Sequence, residues 1–391
     1  MLVRSLTAFA IAAGALTAVV ALTACGSPPA AATPTPTPTP SRSYTGTAGV
    51  GDMLTIQVDP NARTIAYNNL TNGLVGTATY TINVDGTWTI SDPVHGHLLR
   101  GFEIPDHALI LQVANAGANA DQMSVVTAIQ AQSISVADLA NGAYNYMQFR
   151  TNSGGMEVGW ITSDSAANLS SQYYWPFGST QPTPMAYSDP NDPPMAASDF
   201  TRDPSGRFLS IAAEGPTQPL SYMFRTSGGF LAVDTPNGSL VCLRQQASAA
   251  YDATNSGGYK GFFYHKNNAS MGSGNVESGT VSLSENRVVF SAGPSVGTGH
   301  VVIYAVDGTT PLMNLDLTDM STGGHVGSGK LVDPCPGLFT GTVTSGTVTV
   351  QFFTTFIDDA ALITSYTTDS ATPYIYSYFN GIALRDPAAG G

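Results

Sequence analysis

Tyr80-Thr81-Ile82-Asn83-Val84, then Asp85-Gly86, then Thr87-Trp88-Thr89-Ile90 decides the fold. Apolar and polar residues alternate on both sides of an Asp-Gly pair. Alternation at period two belongs to a strand with one buried and one wet face. Asp-Gly between two such runs is the strongest short hairpin signal, because the tight turn needs residues that accept positive φ.

The same grammar runs outward in both directions. Upstream, Met53-Leu54-Thr55-Ile56-Gln57-Val58 alternates, Asp59-Pro60-Asn61-Ala62 reads as a turn, and Thr64-Ile65-Ala66-Tyr67 returns. Downstream, residues 98–104 and 108–113 form a further pair, and 124–130 another strand. Ala143-Tyr144-Asn145-Tyr146-Met147-Gln148-Phe149 alternates cleanly. Further pairs are read at 230–233 with 240–243, 287–291 with 300–306, and 346–353 with 360–366, and the runs 374–379 and 382–384 close the chain. Helical periodicity is nearly absent; residues 135–141 read as one short turn. The class is therefore all-β: two or three antiparallel β-sandwich or β-barrel modules. The runs are short and Thr-rich, which argues against a membrane-spanning barrel.

A polar, Ala/Ser/Gly-rich break at 244–257 divides the β part into residues 44–248 and 256–387. The first part reads as one region or as two modules dividing near 136–142. Tyr44-Thr45-Gly46, Tyr144-Asn145-Tyr146 and Tyr259-Lys260-Gly261 open the three stretches alike.

Before the β part stands a different kind of sequence. Arg4 gives a positive start, residues 6–22 are apolar or weakly polar, and Leu22-Thr23-Ala24-Cys25 follows. This string resembles the lipobox of bacterial lipoprotein signals. The resemblance implies that residues 1–24 are a signal peptide, and that Cys25 becomes the lipidated N-terminus. It places the protein on the cell membrane or outer membrane, facing periplasm or exterior. Gly26 stands where an aspartate retains enteric lipoproteins at the inner membrane, which favours the outer one. Residues 25–43 then carry the tract Thr33-Pro34-Thr35-Pro36-Thr37-Pro38-Thr39-Pro40. Alternate prolines exclude helix and sheet and favour an extended rod rising about 3.1 Å per residue.

The formal net charge is −13, with three lysines, Lys260, Lys266 and Lys330. Such a chain has no electrostatic footprint for nucleic acid, and anionic headgroups repel it, so lipid alone must hold it to a membrane. Besides Cys25 there are two cysteines, Cys242 and Cys335. Export makes a disulfide between them admissible; a buried free thiol is the alternative for Cys242, which sits in an apolar run.

Candidate sites are few. His95, His97 and His107, with Glu103 nearby, are residue types that ligate metals, but Asp92-Pro93-Val94-His95-Gly96 also reads as a turn. Residues 176–203 form a long Pro-rich loop; its Asp189 and Asp192 are candidate Ca²⁺ ligands without a calcium-loop spacing. Tyr173, Tyr174, Trp175 and Phe177 break the alternation and are the candidate recognition surface. Gly293-Pro294-Ser295-Val296-Gly297 spells a serine-hydrolase motif but lies between two strands, so it reads as a hairpin loop. No catalytic constellation and no cofactor is implied. The sequence thus points to a tethered surface or periplasmic lipoprotein that binds a small ligand or envelope partner, or serves the envelope structurally. The alternative is an envelope hydrolase acting on glycan or ester substrates.

In cells competent for lipoprotein processing, mass spectrometry is expected to find an N-terminal peptide that begins at lipid-modified Cys25. An unmodified peptide there overturns the lipobox reading.

Overall fold

The computed structural model describes residues 38–114, 123–149, 158–175, 183–184, 196–211, 221–226, 229–235, 238–245, 256–270, 280–320, 325–327, 330–332, 336–357, 359–371 and 375–386. The chain divides into Met1–Pro38 and Thr39–Gly391, and every described strand belongs to the second unit. Cys25 and the start of the tether lie outside the described residues. No described helix is long and apolar enough to cross a membrane.

The first eight strands are β1 (Arg42–Ala48), β2 (Asp52–Asp59), β3 (Thr64–Asn69), β4 (Val75–Ile82), β5 (Trp88–Ser91), β6 (Leu98–Ile104), β7 (Ala108–Ala114) and β8 (Met123–Ile129). Each pairs antiparallel with the next, and β8 returns to β1, closing an up-and-down barrel. A 3-10 turn, Val136–Leu139, follows; Asp138 caps it by accepting the Ser135 N–H and hydroxyl at 2.8 Å each.

A nine-stranded sheet comes next: β9 (Ala143–Phe149), β10 (Val158–Ser163), β11 (Leu169–Trp175), β12 (Thr183–Pro184), β13 (Phe200–Arg202), β14 (Leu209–Ile211), β15 (Ser221–Arg225), β16 (Phe230–Thr235) and β17 (Gly238–Arg244). Its order is β12-β11-β10-β9-β17-β16-β15-β14-β13. The second barrel takes β18 (Gly257–Ser270), β19 (Thr280–Ala292), β20 (Thr298–Tyr304) and β21 (Pro311–Asp319). A small hairpin, β22 (His325–Gly327) with β23 (Lys330–Val332), intervenes. The barrel then closes through β24 (Leu338–Ser345), β25 (Val348–Ile357), β26 (Ala360–Asp369) and β27 (Ile375–Arg385). The architecture is all-β, as the alternation requires.

Strand alternation sorts the side chains. In the first barrel Leu54, Ile56, Val58, Ile65, Tyr80, Trp88, Leu109 and Leu111 fill the interior. In the second, Tyr259, Phe263, Phe290, Phe352 and Phe356 do so. The free outer faces are polar: Thr77, Thr79 and Thr81 on β4, and Asn314, Asp316 and Thr318 on β21, are exposed. This is the reverse of a membrane barrel, which is apolar outside. Where the bodies meet, the outer phase is apolar too. Ile110, Val125, Phe149, Trp160, Val241, Phe262, Phe353 and Leu384 form one cluster spanning both barrels and the sheet.

Two details differ from the sequence reading. The Asp-Gly hairpin forms, but its ladder ends at Ile82↔Trp88. Residues 83–87 make a wider loop because the Asp85 carboxylate takes the Thr87 N–H (3.2 Å) and hydroxyl (2.8 Å), with Gly86 left-handed at φ +85. The runs at 374–379 and 382–384 are a single strand, β27. Gly381 does not break it: a Cβ there would collide with the Phe262 carbonyl oxygen, so the glycine serves close packing.

The β2–β3, β4–β5 and β6–β7 turns lie at one end of the first barrel, its foot. Polar groups plug that end. Arg42 donates from Nε and Nη2 to the two oxygens of Glu103 at 2.7 and 2.6 Å, and the Tyr44 hydroxyl donates to Glu103 at 2.7 Å. The pair is 8% and 4% exposed. At the seam between barrel and sheet, the Thr47 hydroxyl donates to Asp234 at 2.6 Å. Burial, with the nearby Asp52 charge adding to it and Thr47 opposing, pushes the Asp234 carboxyl up to about 8.

Two outcomes follow from these buried groups. Arg42→Met, which strands Glu103, is expected to cost about 3–5 kcal/mol in urea unfolding, while Arg42→Met with Glu103→Leu recovers most of it. Because the Asp234 carboxyl is raised in the fold, its contribution is complete below its ordinary value of 3.8 and is lost as pH rises to about 8. Unfolding free energies of Asp234→Asn should therefore lack that decline, and the difference between the two pH curves isolates this residue.

Candidate functional site: the mouth of the first barrel

The β1–β2, β3–β4 and β5–β6 connections lie at the other end of the first barrel, and the described residues leave a cavity at this end, its mouth. The cavity is about 570 Å³, within the range of small-molecule sites. Its floor is the top of the barrel core, with Leu54, Leu98, Val113 and Val126. Its upper wall carries Asp52, Tyr67, Asn69, Asn72 and His97.

Local hydrogen bonds fix this wall. The Asn69 carboxamide oxygen accepts the Thr71 and Asn72 N–H groups at 3.0 and 3.3 Å, and the Asn72 oxygen accepts the Leu74 N–H at 2.9 Å. These Asx bonds wind the β3–β4 turn, with Gly73 left-handed at φ +75. The β5–β6 turn is wound on Asp92, whose carboxylate accepts the Tyr67 hydroxyl at 2.8 Å and the N–H groups of His95 and His97 at 3.2 Å each. Burial alone would push the Asp92 carboxyl up, but these donors hold it below the usual carboxylate range. Burial, and then the bond to Asp92, pushes the Tyr67 hydroxyl up, so it stays a donor. Burial also raises the Asp52 carboxyl, against a hydrogen bond from Asn69 and the charge of His97.

Chemically this is an apolar floor beneath an acidic, amide-rich rim. The described lining holds no lysine or arginine, and no serine, threonine or cysteine. It suits an amphipathic ligand that brings hydrogen-bond donors or a positive charge.

The histidines are divided. His95 and His97 stand together in the β5–β6 turn, ring centroids 5.5 Å apart, and His95 Nε2 lies 3.2 Å from the Val75 carbonyl oxygen. His107 sits in the β6–β7 turn, where its N–H bonds the Ile104 carbonyl at the foot. The seven residues of β6 separate the two places, a run of about 20 Å at strand rise. The three histidines therefore cannot share a metal. Among the described residues no group of three or more His, Cys, Asp or Glu could hold one. Asp189 and Asp192 lie outside the described residues.

Tyr173, Tyr174 and Trp175 belong to β11, in register with Trp160, Gly159 and Val158, rather than to a free loop; Phe177 lies outside the described residues. Ser295 lies in the β19–β20 hairpin loop, its N–H and hydroxyl each 3.2 Å from the Thr298 hydroxyl oxygen. Cys242 is a free, buried thiol in the outer-face cluster of the sheet, with Tyr146 and Leu231. Asn145, on the opposite face, donates to the Pro336 carbonyl at 2.9 Å. Cys335 itself lies outside the described residues.

Asp52, Asn69, Asn72 and Asp234 were not singled out from the sequence. Three had a signal. Asp52 is in phase with Leu54, Ile56 and Val58, Asn69 with Ile65 and Tyr67, and Asp234 with Phe230 and Ala232, so each is polar where the alternation calls for burial.

No family model matches the chain, and no curated protein matches it. Solved structures that resemble it include Transferrin Binding Protein B of Haemophilus parasuis, in a mutant form, at 9% identity and a TM-score of 0.25, over 85% of this chain and 65% of that one. Transferrin Binding Protein B of serogroup B Neisseria meningitidis resembles it at 10% identity and a TM-score of 0.26, over 86% and 66%. Likenesses at this level decide nothing about what the chain binds.

Proposed function

We propose that the chain is a lipid-tethered, non-catalytic binding protein whose first barrel takes a small amphipathic ligand through its open mouth. The observation that carries this reading is the cavity of about 570 Å³, with its apolar floor and convergent Asp52, Asn69 and His97. Eight-stranded barrels are wide enough to hold one small ligand. The acidic rim selects for a cationic or donor-bearing head, and the floor takes an apolar tail. Against the hydrolase alternative stands the described lining, which offers no hydroxyl or thiol nucleophile beyond the bonded Tyr67. The Thr/Pro rod gives the barrel reach from a membrane surface.

The test uses residues 26–391 and octylamine as the probe, followed by calorimetry. Saturable one-to-one binding is expected, weakened about tenfold by Asp52→Asn, as loss of a charged hydrogen bond predicts, and abolished by Val113→Trp. Octanoate should bind more weakly than octylamine. Lack of saturable octylamine binding, or binding indifferent to Val113→Trp, would sink the proposal.

A further inference from the structure

We infer that the foot of the first barrel carries a second binding site, for an oxyanion such as a phosphate group. A separate cavity of about 280 Å³ opens there, lined by Ser41, Arg42, Ser43, Gln130, Gln132 and Arg207 among others. Its origin is a wedge in the barrel wall. β1 and β8 pair only from Thr45↔Ile129 onward. Beyond that point the chain leaving β8 bonds elsewhere: the Gln130 N–H to the His107 carbonyl at 3.0 Å, and the Gln132 N–H to the Arg225 carbonyl at 2.9 Å. Arg42, Ser43 and Tyr44, the first three residues of β1, are thereby left without a β8 partner and face a gap.

The chemistry of this gap is opposite to that of the mouth. Two arginines, Arg42 and Arg207, line it in a chain of net charge −13. Glu103 clamps Arg42 by Nε and Nη2, which fixes the plane of the guanidinium. Arg207 is exposed, and among the described residues it has no carboxylate partner. The hydroxyls of Ser41, Ser43 and Thr45 and the carboxamides of Gln130 and Gln132 add neutral donors. The described lining includes no carboxylate. Planar forks with neutral donors around them suit tetrahedral oxyanions, which take several charge-assisted hydrogen bonds at once. The volume leaves room for a few carbons beyond the anion, so a phosphate ester fits as well as free phosphate.

The probes are inorganic phosphate and glycerol 3-phosphate, titrated separately into residues 26–391 at constant ionic strength, with sodium chloride as the control. Saturable one-to-one binding of at least one probe is expected. Arg207→Met should weaken it about tenfold, and Gln132→Ala should weaken it less. Asp52→Asn, at the opposite end, should leave it unchanged. Binding of both probes marks the free anion as sufficient; binding of the ester alone assigns the site to an ester. If neither probe binds beyond the chloride control, or if Arg207→Met binds as the parent does, the inference is wrong.

Discussion

The molecule depends on one apolar layer shared by three bodies. A strand has two faces, and a barrel consumes only one of them. In β7, Leu109, Leu111 and Val113 fill the barrel while Ala108 and Ile110 face outward into the common cluster. In β18, Phe263 points in while Phe262 and Tyr264 point out. The sheet supplies the third side with Met147, Phe149, Trp160 and Val241. Polar bonds fix the register of the contact. The Tyr264 hydroxyl of the second barrel accepts the Val125 N–H of the first at 2.8 Å and meets the Ser124 hydroxyl at 2.8 Å. Arg100 pairs with Glu285 across the same boundary at 2.5 Å. Large apolar area gives the adhesion, and a few directional bonds give the geometry.

That layer explains why polar side chains in the buried phase are informative. Every inward position of the first barrel is in competition for core volume, so a carboxylate there has to be satisfied or exposed to a cavity. Glu103 is satisfied by Arg42 and Tyr44. Asp52 opens onto the mouth. Across the seam, on the sheet, Asp234 is 1% exposed, its carboxyl is pushed up to about 8 by burial, and it accepts the Thr47 hydroxyl. The two ends of the lumen thus differ for a local reason: an ion pair spans it at the foot, and among the described residues no such pair is present at the mouth.

Much of the fold was legible because period-two alternation is a local property. The strands β2, β3, β6, β7, β9, β16 and β17 stand close to where their patterns placed them. Closure was not legible. Whether alternating strands make a sandwich or a barrel depends on long-range pairings such as Thr45↔Ile129, which leave no local mark. The runs 374–379 and 382–384 were read separately because the use of Gly381 between them, clearance for the Phe262 carbonyl, lies on another strand. Tyr173 to Trp175 broke the alternation in sequence, yet their backbone pairs with β10 from Trp160 to Val158. The histidines grouped in sequence yet separate in space, since a strand lies between them. The mouth was missed for a related reason: its cavity-lining polar residues come from three connections and share no motif.

β1 joins these features in one element, because it is the first strand after the tether. Its inward phase runs Arg42, Tyr44, Gly46 and Ala48, from the foot ion pair to the wall of the mouth. Its outward Thr47 grips the sheet. Gly46 lets β1 lie against β8, where a Cβ would come within 2.8 Å of Ala128 and 2.9 Å of Val126. All seven residues pair with β2, from Arg42↔Val58 to Ala48↔Asp52. The Arg42–Glu103 clamp sits at the N-terminal end of this strand. The proposed anion pocket lies beside it, lined by Ser41, Arg42, Ser43, Tyr44 and Thr45, so an oxyanion bound there would brace β1 where its edge lacks a β8 partner.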